Sequence, residues 1–173
     1  MTPAPASTPI SLGPMSQQIP ADERFLALGD EPHLVGRRCA ICGTYVFPLA
    51  PLTCPNPACD GTEFTEVRLS TTGRVWSYTD ARYQPPAPYV AADPYSPFAI
   101  AAVELADEGL VVLGQVAAGF TVDDLEVGAE VALVVEPLYR EPDGTERMTW
   151  RWQPVDRQPS GQPGAVPVLE ATE

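Results

Sequence analysis

The sequence predicts a mainly β protein: a short N-terminal helix, a metal-binding ribbon and a five-stranded barrel, with a disordered tail at each end. Three observations carry this reading. Pro supplies 21 of the 173 residues, over twice its usual share of about 5%, which argues against a helical bundle. From residue 71 onward, apolar runs alternate with short turn signals, the signature of successive strands. Four cysteines, the only ones in the chain, stand together between positions 39 and 59. The length suits one compact unit with a small appended module.

Residues 1–18 are rich in Pro, Ser, Thr and Ala, with almost no charge and no apolar period, and are expected to be disordered. A short helix is expected within residues 19–35. Pro20 suits its first turn, Asp22 and Glu23 suit its positive end, and Phe25, Leu26 and Leu28 make a small apolar stripe before Gly29. So short a helix is not stable alone and must dock on the rest of the chain.

Residues 36–68 contain Cys39, Cys42, Cys54 and Cys59, spaced C-x2-C, then eleven residues, then C-x4-C. Two thiolates two residues apart can face one ion, and Gly43 permits the tight turn that aims backbone N–H groups at sulfur. Four thiolates form a closed tetrahedral shell, which suits one structural zinc per chain in a rubredoxin-like ribbon. Iron is the alternative metal for the same geometry. The segment holds few core residues, among them Tyr45, Val46, Phe47, Leu49 and Phe64, so a metal is expected to stabilise it.

Residues 69–156 read as five strands, at 74–83, 98–105, 110–117, 129–139 and 147–153. Tight hairpins are expected at 105–110 and 141–146, where Gly109 and Gly144 stand. Residues 121–128 have room for at most one helical turn. Five strands so spaced fit a small closed barrel of the OB type, and a five-stranded open sandwich is the alternative. Residues 157–173 return to the composition of the N-terminus and are expected to be a second disordered tail.

Charge narrows the function. All ten basic residues are Arg, against 23 acids, for a net charge of −13. No lysine is present for a Schiff base or a phosphate loop, and His33 is the only histidine. Residues 36–82 hold five Arg and four acids, whereas residues 83–155 hold three Arg and twelve acids. Barrels and ribbons of this kind often bind nucleic acid, but a groove of that sign does not neutralise phosphates. No apolar stretch reaches the roughly 20 residues of a membrane helix. The N-terminus lacks the basic start and apolar core of a secretory signal, so a cytoplasmic location is expected.

The motif Arg38-Cys39-x2-Cys42-Gly43-x3-Phe47-Pro48-x5-Cys54-Pro55, followed by Gly73-x-Val75-x-Ser77-Tyr78-Thr79, resembles a known family. It is similar to the zinc-ribbon plus OB-fold acyl-CoA-associated proteins, a domain of unknown function, over about residues 20–155. The second cysteine pair is wider than the commoner C-x2-C of that family. The stretch WSYTDARYQPPAPYVAADPYSP at 76–97 looks most like the branch paired with thiolase-like retro-aldolases of steroid side-chain breakdown. The resemblance implies a non-catalytic accessory subunit of a thiolase-superfamily aldolase or thiolase, in a two-plus-two heterotetramer acting on acyl-CoA. Relatives also serve acyltransferase complexes, and a free-standing acyl-CoA-binding module is the other reading. Arg37, Arg38, Arg74 and Arg82 are the candidates for CoA phosphates, or they pair with Glu63, Glu66 and Asp80.

Catalytic candidates are few. His33 lies between Pro32 and Leu34 and reads as a packing or surface residue. Tyr78 and Asp80 share a strand face, where cross-strand hydrogen bonding is the simpler role. Residues 83–97 are far longer than a hairpin needs and carry Pro85, Pro86, Pro88, Pro94 and Pro97 with Tyr83, Tyr89 and Tyr95. Prolines lower the entropy cost of ordering a loop, and tyrosines make interface anchors. The segment is therefore expected to be a partner-docking arm.

Overall fold

A computed structural model of the chain describes residues 17–48, 51–86, 89–164 and 166–169. Residues 1–16 of the expected N-terminal tail lie outside the described residues, as do Leu49 of the expected ribbon core and Pro88 of the arm. The described elements are β1 (Gln18–Pro20), β2 (Leu26–Ala27), β3 (His33–Cys39), β4 (Tyr45–Val46), β5 (Phe64–Arg68), β6 (Thr72–Ala81), β7 (Phe98–Leu105), β8 (Val111–Val116), β9 (Glu130–Arg140) and β10 (Glu146–Pro154). One 3-10 turn, Val122–Asp124, sits between β8 and β9 and is closed by a capping box from Thr121.

Strands β6 to β10 form the barrel. β6, β7 and β8 are an antiparallel meander, and β8 meets β10 in parallel through Gln115↔Arg151 and Val116↔Trp152. β10 pairs antiparallel with β9, and β9 returns to β6 through Thr72↔Ala132, Gly73↔Val131 and Arg74↔Glu130. That last pairing closes the ring and excludes the open sandwich. Alternation along the strands sends Val75, Ala101, Val103, Leu105, Val112, Val131 and Trp152 inward, and all are buried.

The ribbon strands β3, β4 and β5 form a separate small sheet, with β2 added to the edge of β3. The two modules share one core. Leu26 and Leu34, fully buried, pack in the same cluster as Leu69 and the barrel interior. Phe47 stands edge-on between Phe25 and Trp150, with ring centroids 6.0 and 5.8 Å away. The ribbon is thereby seated on the barrel rather than tethered beside it.

The N-terminal helix expected at 19–35 is not formed. Asp22 accepts N–H bonds from Phe25 and Leu26, a single turn, and the chain then runs into the β2–β3 hairpin. The reason is packing. Leu26 lies directly opposite Leu34 in that hairpin, so both leucines enter the core. A helix of this length offers less burial for the same residues. Pro20, expected at the head of a helix, instead lies in β1, paired in parallel with Met148 of β10.

The segment from 157, expected as a free tail, is laid on the barrel where it is described. Gly161 donates to the carbonyl of Gly119 at 2.8 Å, the Ser160 hydroxyl donates to Asp124 at 2.7 Å, and Val168 bridges to Arg140. The buried Asp124 carboxylate supplies the anchor that composition did not announce. Among the described residues no helix is long and apolar enough to cross a membrane.

Candidate functional site

Cys39 ends β3, Cys42 follows in the turn before β4, and Cys54 and Cys59 come from the loop before β5. The four Sγ atoms all lie within 4.8 Å of one another. Cys42 and Cys54 are 3.5 Å apart, and Cys39 and Cys59 are 3.9 Å apart. A tetrahedron with sulfurs about 2.3 Å from a central ion has edges of about 3.8 Å, so the array fits a four-thiolate metal site. Gly61 forms part of the cradle: a Cβ there would stand 2.7 Å from the Cys39 sulfur and 3.3 Å from that of Cys59. Gly43, at φ 78°, makes the left-handed turn expected of it.

The backbone electrostatics follow a single rule. Each sulfur is met by the N–H of the residue two positions on: Ile41 for Cys39, Thr44 for Cys42, Asn56 for Cys54 and Gly61 for Cys59. The wider second pair keeps the rule because its extra residues fold into a turn, with Cys59 N–H donating to the Asn56 carbonyl at 2.9 Å. The Thr44 hydroxyl, with the Thr44 N–H, draws the Cys42 thiol down to about 6. The N–H groups of Cys42 and Ile41 lower Cys39, whereas burial raises Cys54. A metal held by all four sulfurs would keep no open coordination position.

The other candidate residues are dispersed. Arg37 pairs with Glu66, Arg38 donates to the Gly43 carbonyl over the ring of Tyr45, Arg74 donates to the Gly128 carbonyl, and Arg82 pairs with Asp80. The four arginines thus engage four different partners. His33 Nδ1 lies 2.9 Å from the carbonyl oxygen of Glu31. Tyr78 is partly exposed, and Asp80 is bound to Arg82.

In the arm, two of three tyrosines face inward. Tyr89 stacks on Phe98 with centroids 5.7 Å apart, and the Tyr95 hydroxyl donates to the Ala81 carbonyl at 2.5 Å. Tyr83 is 78% exposed, and Trp76, at the β-bulge of β6, is 62% exposed. Pro85 is partly buried and Pro86 exposed, and the Pro86 carbonyl accepts the N–H of Tyr89. Between the arm, the barrel and residues 161–164 lies a cavity of about 440 Å³. Gln115, Glu136 and Arg151 line it from three strands, with Arg151 Nε 3.2 Å from Glu136 Oε2.

Sequence reasoning missed Thr44, Gly61, Trp76 and this cavity. Thr44 and Gly61 carry a local signal, since both stand two positions after a cysteine. Trp76 and the Glu136–Arg151 pair carry none, because a bulge and a closed barrel decide where they point.

Three comparisons place the chain. Residues 66–136 match the family described as "ChsH2, C-terminal OB-fold domain". A DUF35 domain-containing scaffold protein of Methanocaldococcus jannaschii is 30% identical over 124 residues, 71% of this chain and 82% of the relative. Subunit BbsA of the benzoylsuccinyl-CoA thiolase of Thauera aromatica is 42% identical over 52 residues, 30% of this chain and 34% of that subunit. The solved structure described as "Ltp2-ChsH2(DUF35) aldolase" superposes with a TM-score of 0.53 at 30% identity, covering 70% of this chain and 84% of that one. With the ribbon and the closed barrel in one core, and a relative matched over most of its length, the chain belongs to the DUF35 family.

Proposed function

We propose that this chain is a non-catalytic accessory subunit of a thiolase-like acyl-CoA aldolase, acting in steroid side-chain degradation of the cholesterol or bile acid type. The observation that carries the reading is the match, over 84% of its length, to a chain from an aldolase of the Ltp2-ChsH2(DUF35) kind. The segment 76–97 supports the same branch. The four cysteines hold one structural zinc, which fastens the ribbon to the barrel. The chain stabilises its partner in a cytoplasmic two-plus-two heterotetramer and helps shape the acyl-CoA site, with Arg37, Arg38, Arg74 and Arg82 as the residues offered to CoA. The partner face includes Tyr83, Pro85 and Pro86, and Trp76 of β6 is a further exposed aromatic offered to the partner. Tyr89 and Tyr95 hold the arm in place behind that face.

A second reading, a subunit of a thiolase, is favoured by the segment shared with BbsA. One experiment addresses both. The chain is produced alone and together with a thiolase-superfamily subunit from the same source, and each preparation is assayed for cleavage of a β-hydroxyacyl-CoA and of a β-ketoacyl-CoA. The expected result is no turnover by the chain alone and cleavage of the hydroxyacyl substrate by the pair. Cleavage of the ketoacyl substrate only selects the thiolase. Turnover by the isolated chain, abolished by His33→Ala or Asp80→Ala, overturns the accessory role.

A further inference from the structure

We propose that Thr44 is a positioning residue of the metal centre, whose hydroxyl shields the one solvent-exposed ligand, Cys42, and thereby sets how fast the metal is lost. This rests on the reading of the four cysteines as a zinc site.

The four cysteines differ in exposure. Cys39 and Cys54 are buried and Cys59 is partly buried, whereas Cys42 is exposed. The buried sulfurs are protected by the protein around them. Cys42 is where a chelator or an electrophile first reaches the shell, so the rate of metal loss is decided there. All four sulfurs take a backbone N–H from two positions on, and Cys39 takes a second from Cys42, so backbone donors give the exposed Cys42 nothing that the others lack. One feature does. Thr44 Oγ1 lies 3.1 Å from Cys42 Sγ, and no other ligand among the described residues takes a side-chain hydroxyl. A hydroxyl donating to a thiolate occupies one of its lone pairs, draws off charge that an attacking electrophile needs, and holds the sulfur toward the ion. The additional donor therefore stands at the ligand that lacks cover.

The backbone role of Thr44 is separable from this. Its carbonyl accepts the N–H of Cys39 at 2.9 Å, and any residue at position 44 supplies that bond. Thr44→Val keeps the shape and the backbone and removes the hydroxyl. Thr44→Ser keeps the hydroxyl and removes the methyl group. The two together tell a hydrogen bond from a packing effect.

The test uses the full chain, loaded with zinc and purified without chelator. Zinc content is measured first, and then zinc transfer to excess 4-(2-pyridylazo)resorcinol is timed for the wild type, Thr44→Val and Thr44→Ser. Outer-shell partners of metal ligands are commonly worth about 10–100-fold. Thr44→Val is expected to release zinc faster by about that factor, with Thr44→Ser close to wild type. Cobalt-loaded samples supply a second readout, independent of rates. The thiolate-to-cobalt charge-transfer band is expected to shift in Thr44→Val and not in Thr44→Ser, and Thr44→Ala replaces the valine variant if that one does not fold. Equal rates and unshifted bands in wild type and Thr44→Val overturn the role of Thr44 alone. Equal damage in both variants overturns it too, in favour of packing. A wild-type chain that holds no stoichiometric metal overturns the zinc reading itself.

Discussion

Phe47 of the ribbon meets Trp150 of the barrel edge to face, with ring centroids 5.8 Å apart and ring planes at 81°. The contact joins a module built around four thiolates to one built around strand pairing. Phe47 follows directly on β4, whose Val46 and Tyr45 pair with Arg37 and Arg38 of β3, just before Cys39. Whatever orders the cysteines therefore also orders the ring that rests on the barrel.

Replacing Phe47 by Ala is expected to destabilise the whole chain and not the ribbon only. Burial of a Phe side chain and an aromatic pair together are worth about 2–4 kcal/mol. For a chain of this size that corresponds to a fall in Tm of roughly 4–16 °C. A calorimetric scan should show one transition shifted downward. A barrel transition that stays in place while a ribbon transition moves would refute the shared core.

Removing the metal should have the same reach. Zinc stripped with a strong chelator at neutral pH is expected to lower the barrel transition as well, because Leu26 and Leu34 belong to the barrel's own core cluster. Near-ultraviolet circular dichroism, to which the core residues Trp150 and Trp152 contribute, follows it. An unchanged aromatic signal after complete zinc loss would refute the coupling.

Gly61→Ala should resemble the loss of a ligand. Its Cβ would lie 2.7 Å from the Cys39 sulfur, closer than real contacts allow, and the two nearest atoms are the sulfurs of Cys39 and Cys59. Elemental analysis is expected to find well under one zinc per chain, against one in the wild type. Full zinc occupancy in the variant would mean that the cradle yields without cost.

Asp124 makes a pH prediction. Burial pushes its carboxyl upward, but the Thr121 N–H, the Ser160 hydroxyl and N–H and the Thr121 hydroxyl together hold it below the ordinary carboxylate range. A depressed carboxyl contributes stability that is present above its unfolded pKa of about 3.9 and is lost as pH falls through the folded value. Wild type should therefore lose Tm more steeply than Asp124→Asn as pH falls below about 4. The difference should be largest near neutrality, where hydrogen bonds to a charged group are worth about 1.5–3 kcal/mol. Parallel melting profiles for the two proteins would place the segment at 157–164 elsewhere than on Asp124.

The arm tyrosines should divide. Tyr83→Ala leaves this chain's Tm unchanged, since the side chain is 78% exposed, and weakens the partner complex. A buried interface tyrosine is worth about 2 kcal/mol, or about thirtyfold in Kd. Tyr95→Phe removes the bond to the Ala81 carbonyl and should act through the arm's order, seen as faster amide exchange at 83–97. Titration calorimetry against the partner separates the two. Wild-type affinity in Tyr83→Ala would make the arm a cover for the barrel only.

Much of this was legible in the sequence because the signals are local. The five barrel strands stand within one to two residues of their expected ends, since alternation and turn glycines act over a few positions. The cysteine cluster follows from spacing, and the left-handed turn at Gly43 follows from the knuckle that spacing requires. Residues 19–35 misled because Phe25, Leu26 and Leu28 suit a helical stripe as well as a hairpin, and only Leu34 across the hairpin decides between them. Pro159, Gly161 and Pro163 read as tail because composition does not reveal that Asp124, 36 residues from Ser160, offers a buried acceptor.

The sequence by itself determined the mainly β class and the gathering of four cysteines into one candidate metal site. The tertiary structure alone decided that β6 and β9 close the ring, that ribbon and barrel share one core, and that Tyr89 and Tyr95 turn inward while Tyr83 and Trp76 stay exposed. The division has a physical cause. Turns, thiolate pairs and strand alternation are set by neighbours a few bonds away, whereas closure and side-chain direction are set by burial against residues distant in the chain, whose free energy exists only once they meet.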